Sequence, residues 1–459
     1  MGGGLMQLVA YGAQDIYLTG QPQITFFKSV YRRYTNFAIE SIQQEVNGSP
    51  AFGAKVSTTI SRNGDLLKRL WIEYSPYDIL GGVPLDASGN SGVIVGANLG
   101  HSLIDYVEIE IGGIAIDRQY GTWLTIWNYL TESNPCGEQG AIDNYSTAPG
   151  ETVQTSYYGT TGEPSANPNY VTGDNAVVEI MPRPTKYSRM SYNHRAQVNV
   201  KSNQGAAQYA WIPLQFWFDK NPGLAIPLIA LQYHEVKLNI LFNSLELVRT
   251  GTKLTGQEFS RFAVYADVVY LDTTERRQFA ENIHEYLIEQ VQVNNAASAK
   301  NVNLSFNHPV KELIWCPVSA PVNSIDGSGN ATTPTRYSVV PGGSTPSQSF
   351  TQSTQTNLNT YKISLNGTDR MSARDITYFT RNQVWECHTG FGSVIFPDCI
   401  AVYSFALRPE DFQPSGTCNF SRIDRAQLIR DVPDLIDIYA VNFNIFRIGS
   451  GMGGLAYSN

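Results

Sequence analysis

The same series of β-strand signals occurs twice in this chain, in the same order, and that duplication restricts the fold more than any single motif. An early segment, Ala38-Ile-Glu-Ser-Ile-Gln-Gln, is echoed by Leu287-Ile-Glu-Gln-Val-Gln-Val. The hairpin IEIGGIAIDR (109–118) has a counterpart in ISLNGTDR (363–370), each with the Gly-Gly or Asn-Gly pair that a two-residue turn requires. An aromatic strand with a Pro-Gly break, Phe216–Gly223, is matched by Tyr403–Leu407 followed by Pro414-Ser415-Gly416. Long β-rich segments, Phe262–Asp272 and Leu435–Ile448, close the two halves. Together these matches imply two copies of one all-β unit. Each copy, at roughly 200 residues, exceeds a minimal sandwich and suits about eight jelly-roll strands carrying long loops. The expected fold is therefore all-β: two consecutive eight-stranded jelly-roll barrels, a double jelly roll, with few short helices.

Local patterns agree. Tyr106–Ile111 alternates, with Val107, Ile109 and Ile111 facing one way and Glu108 and Glu110 the other, so the two glutamates are expected on a wet face. Asn63-Gly64 separates Lys55–Ile60 from Leu66–Tyr74, and Asn366-Gly367 follows Tyr361–Leu365. Helix is expected over Thr122–Leu130 and Glu275–Asn282. Three segments rich in Gly, Ser, Thr, Asn and Pro (81–98, 133–208 and 317–356) lack sustained periodicity and read as loops. The expected organisation is an arm over 1–24, a first jelly roll over 25–272, a linker over 273–283, a second jelly roll over 284–449 and a tail over 450–459.

Residues 8–41 are dense in aromatics, including Tyr11, Tyr17, Phe26, Phe27, Tyr31, Tyr34 and Phe37, with Lys28, Arg32 and Arg33 beside them. A terminal segment of this kind suits packing against a partner, because chain ends stay disordered unless tied down. Tyr11, Tyr17, Phe26, Phe27, Lys28, Arg32 and Arg33 are the candidate contact residues. The basic three suit an acidic partner surface or lipid head groups, although they fall short of the usual 4–8 of a lipid-binding cluster. Salt bridging within the fold is the competing reading.

Charged residues make up 16% of the 459, against roughly 25% in an average protein. A net charge of −8 argues against direct nucleic-acid binding, which normally shows a basic excess. No apolar run approaches the ~18 residues of a membrane-spanning helix. The start, MGGGLM, has no charged n-region or apolar h-region, so synthesis and retention in the cytosolic compartment are expected. Cys136, Cys316, Cys387, Cys399 and Cys418 lack any Cys-x-x-Cys spacing and read as reduced thiols, mostly buried.

Catalytic signatures are missing. Gly449-x-Gly451-x-x-Gly454 matches a dinucleotide fingerprint, but only five residues follow, too few for the helix whose N-terminus would hold a pyrophosphate; a flexible or tightly packed tail is expected. His234-Glu235 and His284-Glu285 lack the second histidine of a zincin. There is no Gly-x-Ser-x-Gly elbow and no phosphate-binding loop. Glu108/Glu110 and Glu410/Asp411 are carboxylate neighbours expected in solvent. No catalytic residue, cofactor or metal is assigned, and the chain is expected not to be an enzyme.

The segment from Leu8 to Ser41 resembles the start of the major capsid proteins of large icosahedral nucleocytoplasmic double-stranded DNA viruses, of the algal-virus and amoebal-virus type. SRNGDL (61–66), PGLAIPLIALQYHEVKL (222–238), HEYLIEQ (284–290), SFNHP (305–309), PSGTCNFSRID (414–424) and SGMGGLAY (450–457) resemble signature segments of the same family, from end to end of the chain. The resemblance implies a double jelly roll whose barrels stand side by side. It also implies homotrimers of pseudo-hexagonal outline that tile an icosahedral shell over an internal membrane. The partners so implied are neighbouring capsomers and minor capsid proteins, with the arm on the inner side near that membrane and the loops as outward towers. The chain would then be a virion component. Two other functions compete: a paired jelly-roll hydrolase of glycans, which needs carboxylates of perturbed pKa in a cleft, and a glycan-binding module, which needs an exposed aromatic platform, with Tyr145, Tyr157, Tyr158, Tyr170 and Tyr187 as loop candidates.

Overall fold

Period-two alternation of apolar residues sets the strands of both halves, and Gly-Gly or Asn-Gly pairs set the tight hairpins between them. The structure, a computed structural model, describes residues 3–80, 93–95, 99–132, 157–158, 177–178, 186–191, 198–200, 209–248, 259–296, 299–317, 359–390, 400–433 and 435–457. Most of the three expected loops, with Tyr145, Tyr170, Cys136 and Cys399, lies outside the described residues. Short ladders within them are described, Val93–Val95 with Val198–Val200 and Tyr157–Tyr158 with Val177–Val178.

In the first half the strands are β1 (Phe37–Gln44), β2 (Lys55–Thr59), β3 (Leu66–Tyr74), β4 (Ile104–Ile111), β5 (Ile114–Tyr120), β6 (Ala210–Pro213), β7 (Ile226–Pro227), β8 (Val236–Phe242) and β9 (Ala263–Leu271). Helix α1 (Gly121–Thr131) follows β5, and α2 (Trp217–Lys220) follows β6. Helix α3 (Thr273–Glu281) leads into the second half. There the strands are β10 (His284–Ala296), β11 (Asn301–Asn303), β12 (Pro309–Pro317), β13 (Thr360–Leu365), β14 (Thr368–Asp369), β15 (Ala401–Ser404), β16 (Cys418–Asn419), β17 (Ala426–Arg430) and β18 (Ile436–Gly449). A π-helical turn, Tyr378–Asn382, runs into α4 (Gln383–Cys387) after β14.

The main strands of the sheets repeat in the same order, with Val46–Asn47 added in the first half and Arg374–Asp375 and Met452–Leu455 in the second. One sheet of the first half runs β1-β9-β3-β6 with β7 also pairing β3, and the second half repeats it as β10-β18-β12-β15 with β16 pairing β12. The facing sheet runs β2-β8-β4-β5 and recurs as β11-β17-β13-β14. Each half is an open two-sheet jelly roll, not a closed barrel. The β4–β5 turn uses Gly112 and Gly113 at φ 61° and 85°, and the β13–β14 turn uses Asn366 and Gly367 at 51° and 80°. These are the left-handed angles that a two-residue hairpin needs.

Two expectations are corrected. Phe216–Gly223 is not a strand: Trp217–Lys220 is helical, and the strand equivalent to β15 is β6, a few residues earlier. Glu108 is not on a wet face; it is 5% exposed and accepts a hydrogen bond from Arg118 Nε at 2.8 Å. A neighbouring-strand arginine and Asn239, whose Nδ2 reaches Glu110 at 3.0 Å, make that face a covered polar ladder. The glycine-rich end is tightly packed: Met452–Leu455 returns antiparallel along β18, and a side chain on Gly453 would meet Leu231 at 2.7 Å.

Candidate functional site

The two halves share a dry seam. On β12, β15 and β18, Leu313, Trp315, Ala401, Ile438 and Ala440 fill the second half's own core. The alternate residues Ile314, Val402, Tyr439 and Val441 instead join the apolar cluster of the first half. Sheet β10-β18-β12-β15 is thus covered on both sides, which is why β12 is buried continuously rather than in alternation. Helix α1 lies against it: the Trp123 and Tyr439 ring centroids are 5.4 Å apart, and Thr122 Oγ1 is 2.6 Å from the Tyr439 hydroxyl. Past α4, the Gly390 N–H donates to Leu130 O at 2.7 Å, and Thr389 Oγ1 donates to Thr131 O at 3.1 Å.

Charged groups are buried in this seam. The β12 ladder shifts register between Val310 and Glu312, which lets consecutive residues Lys311 and Glu312 both reach it. Lys311 pairs with Glu289, which Lys220 Nζ also approaches at 3.5 Å. Lys220 Nζ sits 4.0 Å from the Trp127 ring centroid, a cation–π contact. His388, fully buried, lies with Nε2 3.0 Å from Glu312 Oε2 and Nδ1 2.9 Å from Glu410 Oε1. Its ring meets Trp127 edge-on. The Glu410 expected in solvent is therefore an ion-pair partner, also held by the Thr389 N–H at 3.0 Å.

These surroundings move the titrations. Burial alone would lower the His388 pKa, but Glu312 and Glu410 outweigh it and raise the value to about 9. Burial would raise Glu289, yet the two lysines hold it below its usual range. Lys220 is pushed down by burial despite Glu289. Asp117, which accepts from the Val291 N–H at 3.1 Å, is raised to about 6 by burial.

Perturbed pKa values also arise in structural ion-pair networks, and here each shifted group has an opposite charge or a backbone partner across the seam. One open hollow among the described residues, on the second half, is lined by Thr377, Tyr378, Arg381, Asn382 and Trp385, with no carboxylate and none of the seam groups. Among the described residues no group of three or more His, Cys, Asp or Glu could hold a metal. His284 Nε2 is engaged by Phe279 O at 2.7 Å and His234 Nδ1 lies 3.0 Å from Gly453 O, so neither His-Glu pair is poised for zinc. Of the loop tyrosines, Tyr187 bonds His101 Nε2 at 2.7 Å and is half-buried, not a free platform.

Residues Met1–Phe37 form a separate compact unit from Ala38–Asn459. Its two short helices, Gly3–Val9 and Ile16–Thr19, bury no residue. Tyr11, Tyr17, Phe26, Phe27, Lys28, Arg32 and Arg33 are all exposed in the single chain, Phe27 to 98%.

The comparisons with known proteins agree with this geometry. Residues 25–272 match the family described as major capsid protein N-terminus, and residues 275–454 match that of the large eukaryotic DNA virus major capsid protein. The major capsid protein of Pyramimonas orientalis virus is 42% identical, and that of Paramecium bursaria Chlorella virus 1 is 37% identical, each over all of both chains. In the quasi-atomic structure of the Paramecium bursaria Chlorella virus 1 capsid, a chain 33% identical superposes with a TM-score of 0.61, covering 95% of this chain and 100% of that one. The Faustovirus major capsid protein, 13% identical, shares the fold with a TM-score of 0.56 over 97% of this chain and 96% of its own. With a duplicated jelly roll, a seam of structural ion pairs and full-length relatives of one kind, the chain belongs to the major capsid proteins of large eukaryotic DNA viruses.

Proposed function

We propose that the protein self-associates into pseudo-hexagonal homotrimers that tile the icosahedral outer shell of a virion, without catalysis, over an internal membrane. The observation that carries this reading is the duplicated jelly roll with one dry, ion-paired seam. Two like halves fixed side by side give each chain two of the six corners of such a capsomer. The acidic net charge of −8 suits a shell kept apart from the genome by a membrane. Neighbouring capsomers and minor capsid proteins are the remaining partners, and assembly takes place in the host cytoplasm.

Light scattering after size exclusion tests the oligomer: three chains of 50.8 kDa amount to about 152 kDa. A species of that mass that persists on dilution is expected, since permanent interfaces of this kind bury roughly 2,000–5,000 Å². A monomer at all concentrations would refute it.

The arm over 1–24, with Tyr11 and Tyr17, and the lead-in to the first jelly roll, with Phe26, Phe27, Lys28, Arg32 and Arg33, serve contacts on the inner side of the shell. So many exposed aromatics on one short segment suit a surface that a partner covers. Deleting residues 1–24 is expected to leave a folded trimer that forms shells poorly, as counted by electron microscopy. Normal shells from the truncated chain would sink the assignment.

A further inference from the structure

The internal repeat leaves two faces open, and each is the counterpart of a face already buried within the chain. Sheet β10-β18-β12-β15 is covered by the first half, and every residue from Val310 to Pro317 on β12 is buried. Its counterpart, β1-β9-β3-β6, is covered on one side only. Leu70, Ile72 and Tyr74 of β3 point into the core, while Arg69, Trp71 and Glu73 remain half-exposed. Pairing puts Trp71 beside Tyr265, and Glu73 beside Trp211, on that outer face. Trp71 Nε1 donates to Asp267 and Trp211 Nε1 to Glu73, both at 2.8 Å, and Trp211 is 40% exposed. An aromatic, hydrogen-bonded sheet face of this kind resembles an interface more than a solvated surface.

The helices show the same asymmetry. Helix α1, which follows hairpin β4–β5, is buried almost throughout, and its Thr122, Trp123 and Trp127 meet Tyr439 and His388 of the second half. The segment that follows hairpin β13–β14, the π-helical turn with α4, exposes Arg381, Asn382, Trp385 and Glu386, and Trp385 is 84% exposed. Irregular π turns recur at functional sites.

We propose that the Trp385 face of one chain docks on the outer face of β1-β9-β3-β6 of a second copy, repeating between chains the seam that α1 and sheet β10-β18-β12-β15 make within one. The two faces differ, so the contact is head-to-tail, and such contacts close into rings when the rotation permits. The assignment rests on the homotrimer reading and names the residues that would build it. Tryptophans on both sides are the side chains that usually dominate such interfaces.

Photocross-linking of the full chain tests it, with Trp385→p-benzoylphenylalanine irradiated and the product digested for mass spectrometry. A two-chain product that joins position 385 to a peptide containing 69–73 or 209–213 is expected. In parallel, Trp385→Ala, with a melting temperature close to that of the parent chain, is expected to weaken self-association by about tenfold or more. Should the parent chain be oligomeric while the cross-link maps elsewhere, or Trp385→Ala associate unchanged, the face is wrong and the trimer reading stands. A parent chain that is monomeric at every concentration overturns both.

Discussion

A His388→Ala chain is expected to unfold about 3–5 kcal/mol more easily than the parent, the usual cost of removing one partner from a buried ion pair. The Glu312 side chain is fully buried, and the His388 imidazolium 3.0 Å away is its cation in the seam. Without it the carboxylate must stay charged in a dry site, take a proton, or draw water between the halves. The pH dependence follows from the raised pKa. A histidine at about 9 in the folded chain and near 6.5 when unfolded contributes stability that is complete below about 6.5 and is lost as pH rises through about 9. Glu410 and Glu289, both held low, act in the opposite sense and lose their contribution as pH falls through the acid range. Melting temperature followed from pH 6 to 10 should therefore decline for the parent chain, and the His388-dependent part of that decline should vanish in His388→Ala. A variant as stable as the parent at pH 7, with the same alkaline slope, would show that His388 is not charged in the seam.

Most of the framework is legible in the residues. β1 and β10, the β4–β5 and β13–β14 hairpins, and β9 and β18 stand out because β-branched and aromatic residues cluster there and tight-turn pairs such as Gly112-Gly113 and Asn366-Gly367 punctuate the hairpins. Helices α1 and α3 lie where Thr122–Leu130 and Glu275–Asn282 place them. The seam is not legible in the same way, because its partners are far apart along the chain: Lys220 meets Glu289 and His388 meets Glu312, from separate elements. The one local signal is Lys311-Glu312 in the middle of the apolar run PVKELIWCP, since charges so placed must find partners or forfeit burial. Glu108 misled for a related reason. Alternation puts it opposite Val107 and Ile109, but whether that face is wet depends on Arg118 and Asn239 reaching it from neighbouring strands. Phe216–Gly223 is aromatic enough for a strand, yet the Asp219 side chain accepts from the Phe216 N–H at 3.1 Å and closes a helical turn there.

Trp123→Ala is the second substitution expected to be severe, at about 3–5 kcal/mol, the usual range for a buried tryptophan cut back to alanine. Trp123 is wholly buried in α1, stacked on Trp127 with centroids 5.4 Å apart, and touches Tyr439 from the second half. Its loss opens a cavity at the meeting point of the halves, between two rigid sheets that cannot close over it. No hydrogen bond goes with it, since Trp123 Nε1 has no acceptor among the described residues, so the effect is one of packing alone. Trp123→Phe, which keeps most of the ring volume, should recover much of the stability. The seam joins the halves, so the variant should also broaden thermal unfolding as the two jelly rolls begin to melt apart, which calorimetry would reveal as a calorimetric enthalpy above the van't Hoff value. A sharp single transition within 1 kcal/mol of the parent would mean that the halves are coupled elsewhere, with the ion pairs of Glu289 and His388 rather than α1 as the principal tie.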